Sequence, residues 1–214
     1  MNLKKKRLIM FATGALWLIL IGTGTGFLWN YEGIPGAAAA APSSWPAGSL
    51  IPRATDRATL VMLVHPHCPC THASIGELSR LMTQAQGRVE AYVLFIKPQG
   101  FSTEWEKTDL WASAAAIPGV HVLGDEEGVE ADRFHSATSG QTLLYDAAGK
   151  LLFSGGITSA RGHEGDNAGR SAIVSLLTTS EAAPTKTSVF GCPLFAPRAD
   201  CLKGKEAGSA KLNR

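Results

Sequence analysis

His65-Pro66-His67-Cys68-Pro69-Cys70-Thr71-His72 gathers two of the four cysteines and three of the six histidines into eight residues. The apolar run Ala58 to Val64 leads into it, and a helix-compatible run from Ala73 to Leu81 leads out. A thiol placed where a buried strand hands over to a helix N-terminus sits in a field that favours thiolate. The thiolate is the nucleophile of disulfide exchange and also a soft-metal ligand. Cys68, at the strand end, is the expected attacking thiol, and Cys70 the thiol that resolves the mixed disulfide. His67 and His72, with His65 beside them, would lower the thiol pKa when protonated or carry a proton to the leaving thiolate.

A Cys68–Cys70 disulfide closes a small ring over Pro69, whose φ is restricted. Such a ring is strained, and a strained disulfide is more oxidising than the roughly −270 mV of thioredoxin. As a permanent staple it would stabilise little, because a short closed loop removes little unfolded-chain entropy. Cys192 and Cys201 stand nine positions apart, and proximity alone pairs them with each other. That second pair reads either as a pin for Phe190, Leu194 and Phe195 or as a relay taking electrons from Cys68 and Cys70.

The elements that must hold these thiols follow from patterning. Thr59 to Val64 and Val89 to Ile96 read as buried strands, being continuous apolar runs. Ser74 to Ala85 reads as a helix, with Ser74-Ile75-Gly76-Glu77 matching a capping box. Thr103-Glu104-Trp105-Glu106 matches another, opening a helix to about Ala116. Val120 to Leu123 is a short strand, Glu127 to Phe134 a short helix, and Asn167 to Thr178 a closing helix. Thr142 to Tyr145 and Leu151 to Ser154 flank a Gly149 turn and predict a hairpin. The order β-α-β-α-β-α-β-β-α predicts an α/β fold, a central mixed sheet flanked by helices.

The ends of the chain set its place. Lys4 to Arg7 is a basic cluster, and Leu8 to Trp29 carries no charge over 22 residues, enough to cross a ~30 Å hydrocarbon core. That length predicts an uncleaved transmembrane helix over 8–29 rather than a signal peptide, with the basic residues 1–7 on the cytoplasmic side. Residues 30–50, rich in Ala, Pro, Ser and Gly, predict a flexible linker; 51–180 the domain proper; 181–214 a tail. The overall charge of +2 hides a domain of net −5 over residues 30–180, which holds ten Lys/Arg and fifteen Asp/Glu. An acidic domain gives no electrostatic reason to expect nucleic acid.

A strand ending in a cysteine pair that opens a helix, followed by a terminal strand, Asp146-Ala147-Ala148-Gly149-Lys150, strand and helix, resembles the thioredoxin superfamily. It is similar in particular to membrane-tethered bacterial thiol–disulfide proteins of the TlpA and ResA type and to the RedB group. The resemblance covers about residues 55–180. Two departures stand out: Cys68-Pro69-Cys70 replaces Cys-x-x-Cys, and Thr138-Ser139-Gly140-Gln141-Thr142 lacks the family's proline. The resemblance implies that Ser139, Gly140 and Gln141 present backbone to a substrate peptide, with Gly140 supplying the unusual backbone angle.

It further implies an oxidoreductase in the bacterial inner membrane, single-pass, with its domain in the periplasm. Its partners would be cysteine-containing envelope proteins and a membrane or soluble thiol redox donor, with no cofactor. Thioredoxin-fold copper proteins suggest an alternative, a metallochaperone holding copper with Cys68, Cys70 and a distant histidine, here His163. A non-catalytic thioredoxin-fold binding module is the third reading.

Overall fold

The computed structural model describes residues 2–37, 40–102, 104–179 and 183–195. Cys201 lies outside them, and with it the expected Cys192–Cys201 pair; so does Thr103 of the second capping box. The chain divides after Ile34 into two compact units. The first holds one helix, α1 (Leu3–Glu32), none of whose residues is buried. It takes in the basic cluster and is long and apolar enough to cross a membrane.

The second unit contains β1 (Ala58–Val64), α2 (Thr71–Ala85), β2 (Val89–Lys97), α3 (Asp109–Ala115), β3 (Val120–Glu126), α4 (Val129–Arg133), β4 (Gln141–Tyr145), β5 (Leu151–Gly155) and α5 (Ala168–Thr178). Its five-stranded sheet runs β3-β2-β1-β4-β5, with β1, β2 and β3 parallel and β4 and β5 antiparallel to their neighbours. Strand β1 is central and covered on both faces. Leu60, Met62 and Val64 enter the core under α2, α3 and α5, while Val61 and Leu63 enter the opposite core with Phe134 and Tyr145. The alternation of side chains along a strand converts one apolar run into two cores, which is why that run carries no polar residue but the flanking Thr59.

The boundaries differ from expectation in three places. Helix α2 begins at Thr71, so Ser74 is internal and no capping box forms. Glu77 is fully buried instead, accepting from the Gly165 N–H at 2.7 Å and the Asn167 Nδ2 at 3.0 Å and pairing with Arg170 at 2.5 Å. Helix α3 begins only at Asp109, because Trp105 and Lys107 close turns onto Ser102 and Glu104 first.

The third difference is at 40–50, expected as a flexible linker. The Trp45 ring sits edge-on to Phe134 and Tyr145, each at 5.2 Å. The Trp45 backbone N–H donates to the Gly149 carbonyl at 2.7 Å, and Tyr145 Oη donates to the Pro42 carbonyl at 3.1 Å. One half-buried aromatic and a few backbone bonds therefore fix a segment whose composition suggests a tether.

Candidate functional site

The site starts where β1 ends. The Cys68 N–H donates to the His65 carbonyl at 3.1 Å, and the Thr71 N–H to the Cys68 carbonyl at 3.0 Å. Those two bonds wind 65–71 into turns that feed α2. Cys70, at φ −67° and ψ −21°, is the residue preceding the helix. Cys68, Cys70 and Cys192 are all free thiols.

Exchange with a client needs sulfurs that solvent can reach. Cys70 is half-buried, but Cys68 is only 1% exposed. A segment from the far end of the chain lies on it. The Cys192 N–H donates to Cys68 Sγ at 3.4 Å, across 124 positions of sequence. The two flanking bonds of that segment run from the Ser139 N–H to the Cys192 carbonyl, 2.8 Å, and from the Leu194 N–H to the Ala137 carbonyl, 2.9 Å. Thr138 and Pro193 thereby form an antiparallel bridge.

Burial works against charge on Cys68, yet its pKa lies below the usual thiol value. The thiol and amide of Cys192, the Thr71 hydroxyl and the Cys70 amide all donate to the Cys68 sulfur and outweigh the desolvation. The adjoining N-terminus of α2, a 15-residue helix, acts in the same sense. Cys70 moves the other way, raised by burial and then by the neighbouring Cys68 charge, with Arg161 opposing. Cys192 is pushed up to about 12, by burial and then by its bond to Cys68, again against Arg161. Of the three, Cys68 is the thiol shifted toward ionisation, while Cys70 and Cys192 are both shifted away from it.

Ser139 ties the parts together. Its Oγ accepts from the His65 N–H at 2.8 Å and shares a hydrogen bond with Thr71 Oγ1 at 2.9 Å. Gly140 takes φ +89°, the left-handed angle expected of it, and its N–H donates to the Leu63 carbonyl at 2.8 Å. A side chain there would come within 2.8 Å of Ser74 Oγ. Gln141 opens β4 opposite Leu63 and is buried. Of Ser139, Gly140 and Gln141, expected to meet a client peptide, Ser139 is engaged by the chain's own Cys192, while Gly140 and Gln141 face Leu63 of β1.

The histidines are placed elsewhere. The His67 N–H donates to His65 Nδ1 at 3.2 Å, and both rings stand edge-on to Trp105, at 4.8 and 5.5 Å. Burial lowers the His65 pKa, and repulsion from His67 adds to it. His72 Nε2 lies 3.3 Å from Asp109 Oδ2, both exposed. The groups acting on Cys68 are thus Thr71, Cys70 and Cys192, not His67 or His72. His163 stands on an exposed turn with its Nδ1 3.3 Å from the Arg161 carbonyl. Among the described residues no group of three or more His, Cys, Asp or Glu side chains is placed to hold a metal ion. The copper set Cys68, Cys70 and His163 is therefore not assembled, and no step through copper follows from it.

Sequence reading missed Arg161, Thr71 and the approach of Cys192. A signal for the last lay in Gly155-Gly156 and Gly191-Cys192, glycines beside a cysteine and at a strand end, which mark close backbone contact.

No protein-family model and no curated protein matches the chain. Solved structures do. An uncharacterised conserved protein from Geobacillus kaustophilus superposes with a TM-score of 0.58 at 19% identity, covering 76% of this chain and 98% of its own. A hypothetical protein from Sinorhizobium meliloti 1021 gives 0.58 at 17% identity, over 74% of this chain and 97% of its own. A secreted Mycobacterium tuberculosis disulfide oxidoreductase gives 0.41 at 13% identity, over 57% and 81%. At these identities the likeness is one of fold. With a β1-α2-β2 crossover that places Cys68 at the head of α2, and an antiparallel β4-β5 hairpin closing on α5, the chain has a thioredoxin-like fold preceded by an apolar N-terminal helix.

Proposed function

We propose that this protein is a thiol–disulfide oxidoreductase, held to a membrane by α1, that acts through Cys68 on cysteines of proteins in the bacterial cell envelope. The observation that carries the reading is the Cys68 sulfur itself, which receives the Cys192 N–H at 3.4 Å and further donors from Thr71 and Cys70. Donors aimed at sulfur stabilise the thiolate, the species that attacks a disulfide. Exchange proceeds by attack of the Cys68 thiolate on one client sulfur while the other departs as a thiolate and takes up a proton. A second thiol of the protein then displaces the client from Cys68. A dithiol donor returns the protein to its reduced state. The basic cluster and the uncharged stretch Leu8 to Trp29 within α1 support placement at the periplasmic face of the inner membrane, where disulfides persist.

The test is reduction of a disulfide-bonded model peptide with dithiothreitol as donor. The protein should accelerate it above the dithiothreitol background, and Cys68→Ser should return the rate to that background. Equal rates for the two proteins would refute the reading.

A further inference from the structure

The oxidoreductase reading leaves open which thiol resolves Cys68, and the sequence names Cys70. The docked C-terminal segment points elsewhere. From Thr185 to Leu194 it runs across the sheet end on backbone bonds. The Ser154 N–H donates to Thr185 O at 2.9 Å and the Gly36 N–H to Val189 O at 2.8 Å; Ser139 and Ala137 hold its far end. Arg161 Nη1 donates to the Gly191 carbonyl at 2.7 Å. The seat is cut for it. A side-chain carbon on Gly155 would fall 2.2 Å from Thr187 Oγ1, one on Gly156 2.6 Å from the Ser188 carbonyl, and one on Gly191 2.0 Å from the Ser139 carbonyl. Three glycines are therefore spent on bringing this segment close, and it ends with a cysteine amide on the Cys68 sulfur.

The Cys68–Cys70 alternative carries a backbone constraint of its own. Thr71 N–H to Cys68 O closes a helical turn through both residues. The Cys70 side chain also reaches the Cys68 sulfur, but a disulfide between them would have to close over the single residue Pro69. Pro69 limits how that turn can be rebuilt.

We propose that Cys192 is the resolving thiol of this site, so that the oxidised protein carries a Cys68–Cys192 disulfide; this rests on the oxidoreductase reading. A client disulfide enters when residues 192–194 leave Ala137 and Ser139. The Cys68 thiolate bonds to one client sulfur, and the second client sulfur leaves and is protonated. The segment then returns, Cys192 gives up its proton to solvent, and its thiolate bonds to Cys68 Sγ, releasing the first client sulfur as a thiol. Two electrons have passed from the Cys68 and Cys192 dithiol to the client, and an external dithiol replaces them. Charge orders the steps. Cys192 stays protonated while Cys68 is a thiolate beside it, and it ionises more readily once Cys68 is in the neutral mixed disulfide.

The experiment uses the full chain. Wild type and Cys70→Ser are oxidised with diamide, their remaining thiols are blocked with N-ethylmaleimide at acid pH, and non-reducing digests are mapped by mass spectrometry. Both should yield the Cys68–Cys192 peptide pair. A wild type linked only through Cys68–Cys70, or through Cys192–Cys201, overturns the proposal. A second arm loads Cys68 with a single-cysteine peptide as a mixed disulfide. Cys192→Ser should release that peptide at least tenfold more slowly than wild type; equal release overturns the assignment to Cys192 and leaves the oxidoreductase reading standing. Failure of Cys68 to form a mixed disulfide in any variant overturns both. The wild-type map does not depend on a variant folding.

Discussion

At the scale of single residues, the chemistry turns on one sulfur made acidic and two made reluctant. Cys68 is buried, which alone would favour the neutral thiol, but donors from Cys192, Thr71 and Cys70 reverse the balance. The sign follows directly. A lowered pKa means that Cys68 ionises first as pH rises, before Cys70 and well before Cys192 at about 12. Thiolate absorbance near 240 nm should therefore show a first step below that of an ordinary cysteine thiol. Cys68→Ser should remove that step, whereas Cys70→Ser should keep it. A first step at or above the ordinary thiol range would contradict the arrangement. The placement of Cys68 between a buried strand and a helix was legible in the sequence, because an apolar run ending in a cysteine before a helix fixes its surroundings locally. The histidines misled, since adjacency in sequence says nothing of where a ring points; His67 turns to Trp105 and His72 to Asp109.

At the scale of elements, two joints hold the site. One is the buried carboxylate of Glu77, which binds α2 to α5 and to the loop that carries Arg161, through Arg170, Gly165 and Asn167. Glu77→Ala would leave Arg170 without its buried partner, a loss of about 3–5 kcal/mol, read as a lower urea midpoint at unchanged slope. The other joint is the docked segment. Gly191→Ala would set a carbon 2.0 Å from the Ser139 carbonyl and so drive the segment off. Iodoacetamide should then alkylate Cys68 roughly tenfold faster, about 1.4 kcal/mol of lost cover; an unchanged rate would mean that the segment does not guard the sulfur. Helices and strands were readable from periodicity because each pattern is local. The segment was not, since it holds on by backbone bonds to loops and leaves no period of 2 or 3.6 in its side chains. Ser74 and Glu77 formed a capping-box match for a local reason too, but burial gave Glu77 a long-range partner.

At the scale of the whole molecule, the thioredoxin-like fold was legible from the order of elements, and the sheet order β3-β2-β1-β4-β5 agrees with it. What composition concealed was how much of the chain the second unit recruits. Segments on either side of the expected 51–180 domain pack on it, Trp45 from one side and Leu194 from the other. Each is anchored by one or two apolar side chains, too few to register against runs of Ala, Pro and Ser. Helix α1 forms a unit of its own. Full-length protein should sediment with membranes and resist extraction by alkaline carbonate, while a chain beginning at Pro35 should stay in the supernatant with its far-UV circular dichroism signature of mixed sheet and helix. Extraction of the full chain by carbonate would argue against an integral anchor.

The most direct measurement is the redox state of Cys68 across a series of glutathione buffers, quenched in acid and read as the mass of the Cys68 peptide after thiol labelling. A single two-electron transition, in which the Cys68 thiol disappears into a disulfide at the oxidising end and returns at the reducing end, is the predicted result. A Cys68 thiol that stays labelled as free at every buffer composition would contradict it.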